Sequence, residues 1–184
     1  AAQAVKVIPI LTLREQTLHR MSLLQDLRSA VSGGQLSLCF QPIIDLCSNR
    51  IVKLEALVRW QHPVRGAVSP AEFIPLAEES GLILEIGHWV VFEAARWVSH
   101  WKDRGLRDLQ VGVNISPVQL HRADGRVDRL FEHLQALGLQ GENLVVEITE
   151  GLLLHASAHI TDLLATLRAQ GVQQAIDDFG TGYS

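Results

Sequence analysis

The stretch Val52 to Trp60, V-K-L-E-A-L-V-R-W, limits what this chain can fold into more than any other. Its β-branched and apolar residues predict a buried strand. Alternation then sends Lys53, Glu55, Leu57 and Arg59 to one face and Val52, Leu54, Ala56, Val58 and Trp60 to the other. The second face is apolar and needs a packing partner. The first sets a carboxylate and a guanidinium inside a buried element, which is costly unless a cation, an opposite charge or an anionic ligand satisfies them. The stretch therefore reads as one wall of a site.

The chain can bury enough to support such a wall: 184 residues, 47% hydrophobic and 20% charged, predict one globular domain or part of one and argue against disorder. A net charge of -4 gives no general attraction to nucleic acid, so DNA binding is not expected and any phosphate recognition must be local. Cys39 and Cys47, one in a strand-like run and one in a turn-like run, suit a reducing compartment better than a disulfide framework. No apolar run approaches the roughly 20 residues that cross a bilayer, and the first residues lack a secretory pattern, so the expected location is cytoplasmic. Residues 1–19 read as a linker or the tail of an upstream domain, and residues 20–184 as the domain itself. The missing initial Met suggests a piece of something longer.

Along the chain, Leu13, Leu18, Met21, Leu24, Leu27 and Val31 approximate a helical stripe closed by Gly33 and Gly34. Gln35 to Pro42 alternates as a strand, and the short turn at Cys47 to Arg50 makes it an antiparallel neighbour of the Glu55 strand. Ser69-Pro70-Ala71-Glu72 supplies an N-cap, a proline at the first helical position and a capping-box acid, and Ser116-Pro117-Val118-Gln119 repeats the pattern. Helices are expected from Pro70 to about Ser80, from about Ile86 to Arg104, from Asp128 to Leu137 and from Ser157 to Gln170. Strands are expected at Leu109 to Ser116, Leu144 to Thr149 and Gln173 to Phe179. Strand and helix then alternate, which implies an α/β fold with a largely parallel sheet. An open doubly wound sheet and a closed barrel both fit, and polar groups spread over the ends of several strands favour the barrel.

Glu55, Asn114, Glu147, Asp177 and Asp178 are oxygen donors on or at the ends of those strands. A shared Mg²⁺ or Mn²⁺ would resolve the cost of burying them, and this donor set suits those ions better than Zn²⁺. The adjacent Asp177 and Asp178 would allow two ions, the arrangement that clamps attacking and leaving oxygens in phosphodiester hydrolysis. Arg59 is placed to fork onto a phosphate. Each residue also has a plainer meaning, since a lone strand acid is usually solvated; the conjunction carries the reading. Glu150 has the other parity from Glu147 and reads as a loop or capping acid. His155 and His159 have a metal-compatible spacing but lack an accompanying Glu, and read as solvated. Trp89, Trp97 and Trp101 read as a packing stripe.

Gln41-Pro42-Ile43, Glu55 to Trp60, Pro70 to Glu78, Asn114-Ile115-Ser116, Glu147 to Glu150 and Asp177 to Ser184 resemble, in order, the signature blocks of EAL-domain cyclic-di-GMP phosphodiesterases. Ordered blocks at domain-scale spacing are far more specific than the letters E-A-L alone. The resemblance implies a (β/α)₈ TIM-like barrel with an antiparallel first strand. It implies hydrolysis of cyclic di-GMP to linear pGpG, with Glu55, Asp177 and Asp178 catalytic. Glu55, Asn114, Glu147 and Asp177 would hold one Mg²⁺ or Mn²⁺, Asp177 and Asp178 would reach a second, and Gln41, Leu57 and Arg59 would contact the dinucleotide. A homodimer and an upstream sensory or signalling domain are also expected. The alternatives are a receptor that binds cyclic di-GMP without cutting it and a dimerisation module. The family's later strands, with a catalytic Lys and a further metal-binding Glu, cannot be placed, so the chain is expected to lack its carboxyl-terminal strands and to be inactive alone.

Overall fold

The computed structural model describes residues 13–106, 109–122 and 126–177. Helix α1 (Leu13–Leu27) leads into β1 (Leu36–Asp45), β2 (Arg50–His62) and the short β3 (Gly66–Val68). Two helices follow, α2 (Pro70–Ser80) and α3 (Ile83–Lys102), and then β4 (Gln110–Asn114), α4 (Pro117–His121) and α5 (Arg126–Ala136). A 3₁₀ turn at Gly141–Asn143 precedes β5 (Leu144–Thr149), α6 (Glu150–Leu154), α7 (Ala158–Ala169) and β6 (Gln173–Asp177). The strands run in the order β1-β2-β4-β5-β6, with β3 added to β2. β1 is antiparallel to β2, whereas β2, β4, β5 and β6 are parallel. This is the expected α/β, TIM-like arrangement with an antiparallel first strand. Among the described residues the sheet does not close.

Alternation assigns every strand residue to one of two faces. On the helix-covered face, Val111, Val113, Leu144, Val146 and Ile148 are buried in one cluster with Ile86, Val90, Ala94 and Val98 of α3 and Ile160, Leu164 and Leu167 of α7. The α3 residues recur at the three- and four-residue spacing of a single helical stripe, which is why this helix lies on the sheet. Phe40 of β1 meets Trp101 of α3 edge-on at 4.7 Å between ring centroids, and Trp89 and Trp101 pack against the core as expected, whereas Trp97 is exposed. Trp60 is 1% exposed, T-shaped against Phe73 of α2, and donates its indole N–H to Gln35 Oε1 at 2.9 Å.

The β1–β2 connection is tight. Asp45 pairs with Arg50, Asn49 adopts a positive φ of 51°, and the register slips between Ile43 and Ile44, leaving a bulge before Lys53. The Asp45 carboxylate accepts from the Ser48 backbone N–H at 2.6 Å and from its hydroxyl at 2.7 Å, which lowers its pKa from the ordinary 3.8.

Two local expectations change. Ser69 makes no side-chain cap; the Ser69 carbonyl accepts from the Glu72 N–H at 2.9 Å, while the Glu72 side chain pairs with His19 of α1 at 2.6 Å. The buried stripe of the α1 region is Leu23, Leu27 and Ala30, whereas Leu18 and Met21 are exposed. His155 and His159 are exposed, as read, with His155 at the end of α6 and His159 within α7.

Candidate active site

The strand pairings collect the polar residues on the face turned away from the helices. Gln41 stands opposite Glu55, and Glu55 stands beside Gly112. Asn114 stands beside Glu147, and Thr149 beside Asp177. Pairing preserves the face, so Gln41, Glu55, Asn114, Glu147 and Asp177 all share one surface, with Leu57 and Arg59 further along β2. Asn114, Glu147 and Asp177 lie toward the carboxyl ends of β4, β5 and β6, the end at which barrel enzymes build their sites, and Glu55 lies mid-strand on β2, level with Gly112.

Asn114 Nδ2 donates to Glu55 Oε1 at 2.8 Å, leaving the amide oxygen available. Glu147 is the buried charged residue among the described ones, 6% exposed, and its Oε1 accepts from Lys53 Nζ. Lys53 and Glu147 sit two strands apart, and the pair spans β4 diagonally, over Gly112. A Cβ at position 112 would meet Glu147 Cδ at 2.8 Å and Oε2 at 3.2 Å, so any larger residue would force the carboxylate to move from this position. Sequence reading put Lys53 on the site face but missed its pairing with Glu147, and it missed Gly112. The signal available for Gly112 was an isolated glycine inside the apolar run V-G-V, a mark of close approach.

Arg59 Nη1 donates to its neighbour's carbonyl, Val58 O, at 2.9 Å. Arg59 lines a cavity of about 280 Å³ that lies largely between the sheet and helices α2 and α3 and also touches Leu57, Asn114, Glu147 and Thr149. Gln41 is exposed and Asp177 closes the described part of β6. Asp178 and the segment that follows it lie outside the described residues. Glu150 is the first residue of α6, the position of an acid at a helix start, as its parity suggested.

Among the described residues, no three His, Cys, Asp or Glu side chains stand together as a ready metal cluster. Glu55 is engaged by an amide and Glu147 by an ammonium group. The chemistry of the donors nevertheless fits a hard divalent cation: Glu55, Glu147 and Asp177 offer carboxylates and Asn114 an amide oxygen, with no thiolate or imidazole among them. The missing Cβ at Gly112 keeps the space over β4 open for Glu147 to use.

Residues 24–184 match the EAL domain. The chain belongs to the EAL-domain family. It is 41% identical over 166 residues to MucR of Pseudomonas aeruginosa, a bifunctional diguanylate cyclase/cyclic di-GMP phosphodiesterase, covering 90% of this chain and 24% of MucR. It is 41% identical over 160 residues to the cyclic di-GMP phosphodiesterase PdeR of Escherichia coli, covering 86% of this chain and 24% of PdeR. The structure of the MucR phosphodiesterase in complex with cyclic di-GMP superposes with a TM-score of 0.82 at 40% identity, over 89% of this chain and 66% of that one. The chain thus spans about a quarter of the length of these two EAL-domain relatives. No helix among the described residues is long and apolar enough to cross a membrane.

Proposed function

We propose that this EAL domain takes part in hydrolysing cyclic di-GMP to linear pGpG, with Mg²⁺ or Mn²⁺ as the metal. The observation that carries the reading is the shared inner face. Glu55, Asn114, Glu147 and Asp177 come from four strands, yet the pairings bring them to one surface beside Arg59. That such a set belongs to a family whose characterised relatives include cyclic di-GMP phosphodiesterases supports the substrate.

Glu55, Asn114, Glu147, Asp177 and Asp178 would hold the metal, two ions in the intact domain, which would supply charge neutralisation at the phosphodiester and acidified water. The chain's own groups set the rest. Arg59 can leave the Val58 carbonyl for a phosphate, exchanging a neutral acceptor for an anionic one and gaining a charge-assisted, forked contact. Leu57 offers an apolar wall beside it, and Gln41, exposed opposite Glu55, offers an amide to the ligand from β1. Asn114 holds the Glu55 carboxylate in a fixed orientation through its 2.8 Å hydrogen bond, which fixes where that carboxylate can place charge. A homodimer and a regulatory domain elsewhere in a longer protein form part of the same proposal.

The test is incubation of the full-length protein with cyclic di-GMP and Mn²⁺, with pGpG followed by chromatography. Wild type should form pGpG, and Glu55→Ala should form none at any practical metal concentration while still folding. A near-normal rate in Glu55→Ala would show the metal assignment to be wrong. Binding without pGpG formation would favour the receptor reading, and loss of both would favour a dimerisation module.

A further inference from the structure

The Lys53–Glu147 pair has no part in the reaction described above, and it occupies a carboxylate which that reaction requires. Glu147 is buried on β5, and a carboxylate so placed is costly without a positive partner. Lys53 reaches it from β2, across the whole width of β4. The side chains of this pair are 18% and 7% exposed, so both are largely removed from water. The crossing is possible because Gly112 presents no side chain beneath it. A long flexible ammonium suits such a place, because it can reach across as a point charge and also leave.

We infer that Lys53 is a built-in counter-ion that occupies Glu147 in the metal-free protein and competes with the divalent cation for it, so that Lys53 sets the metal affinity of the site. The inference rests on the metal-site reading above. Metal binding must separate Lys53 from Glu147 or share the carboxylate between two cations, and either event opposes binding. The metal-free fold gains in return, because Glu147 never stands unpaired. Lys53 is on this view a positioning residue that acts through Glu147.

The experiment measures Mn²⁺ binding directly, by calorimetry or by the loss of the free Mn²⁺ paramagnetic resonance signal, together with thermal unfolding in chelator, for wild type, Lys53→Met, Lys53→Arg and Glu55→Ala. Lys53→Met should bind Mn²⁺ about tenfold more tightly than wild type or better, since a competing charge has gone. It should melt at a lower temperature in chelator and show a larger Mn²⁺-induced rise. Lys53→Arg keeps the charge and should stay near wild type in affinity. Unchanged or weaker Mn²⁺ binding by a folded Lys53→Met would overturn the inference, and equal tightening in Lys53→Arg would do so as well. Glu55→Ala separates the two readings: if it weakens Mn²⁺ binding while Lys53→Met does not tighten it, the metal site stands and only the role of Lys53 fails. No Mn²⁺ binding by wild type would overturn both.

Discussion

Gly112→Ala puts one methyl group against the Glu147 carboxylate. Its Cβ would lie 2.8 Å from Glu147 Cδ and 3.2 Å from Oε2, inside the distances that carbon and oxygen atoms keep without a bond. Relief requires Glu147 to rotate or β4 to shift. Overpacking of this kind costs about 1–3 kcal/mol. Rotation also breaks the pair with Lys53, although the full cost of roughly 3–5 kcal/mol for breaking a buried pair does not apply, because Lys53 can extend its ammonium toward water. Replacing glycine by alanine in extended backbone returns about 0.5–1 kcal/mol through the unfolded chain. The net loss is then about 2 kcal/mol, or a fall in melting temperature of about 4–8 °C for a domain of this size. A double-mutant cycle with Glu147→Ala isolates the cause. With Glu147 shortened the carboxylate atoms nearest the new methyl are gone, so the cost of Gly112→Ala should largely vanish or change sign, giving a coupling of about 2 kcal/mol. Urea denaturation in metal-free buffer measures all four proteins. If Gly112→Ala costs the same with and without the Glu147 side chain, the carboxylate is not what excludes a Cβ, and the explanation of this glycine is refuted.

Arg59→Ala should weaken cyclic di-GMP binding roughly 10- to 100-fold, the range of a lost charge-assisted contact, while catalysis at saturation changes little; a normal Kd with a collapsed kcat would refute the phosphate-fork role. Asp45 has a folded pKa below 3.8, so its stabilising contribution is complete above that value and lost as pH falls through the lowered one. Asp45→Asn should therefore be less stable than wild type at about pH 7, and the gap should narrow as pH falls through the lowered pKa; a gap in urea midpoints that stays the same as the solution is acidified would refute the assignment.

The fold was legible where local pattern and tertiary demand agree. Val111, Val113, Leu144 and Val146 alternate into a single buried face, so both the strands and their parallel pairing follow from spacing. The same parity placed Glu55, Asn114, Glu147 and Asp177 together. Local pattern failed where a distant residue decides. Ser69-Pro70-Ala71-Glu72 and Ser116-Pro117-Val118-Gln119 carry the same signature, yet only Ser116 closes a capping box, because His19 on α1 takes Glu72. In α1, exposed Leu18 and Met21 fitted the helical spacing as well as buried Leu27 did; which side of the helix meets the core is set by α2 and β2, not by the helix itself. Lys53 was visible as a site-facing residue, but its partner is named only once the register carries Glu147 to the far side of Gly112. Asp178 lies outside the described residues, and its expected role as a ligand is untouched by them.

The antiparallel hairpin of β1 and β2 bears on the order in which the site can come into being. Gln41 and Glu55 are joined through a tight turn, so bringing them together closes a short loop and costs little chain entropy. Asn114 reaches Glu55 from 59 residues away, and Lys53 reaches Glu147 from 94. Those encounters must wait for the helices to carry β4 and β5 into place, which makes them the slow steps of folding. One wall of the site can thus exist early, in a hairpin with no capacity to gather the polar residues of β4 and β5. The acidic cluster as a whole is a late product of folding, and its integrity reports whether β4 and β5 have docked.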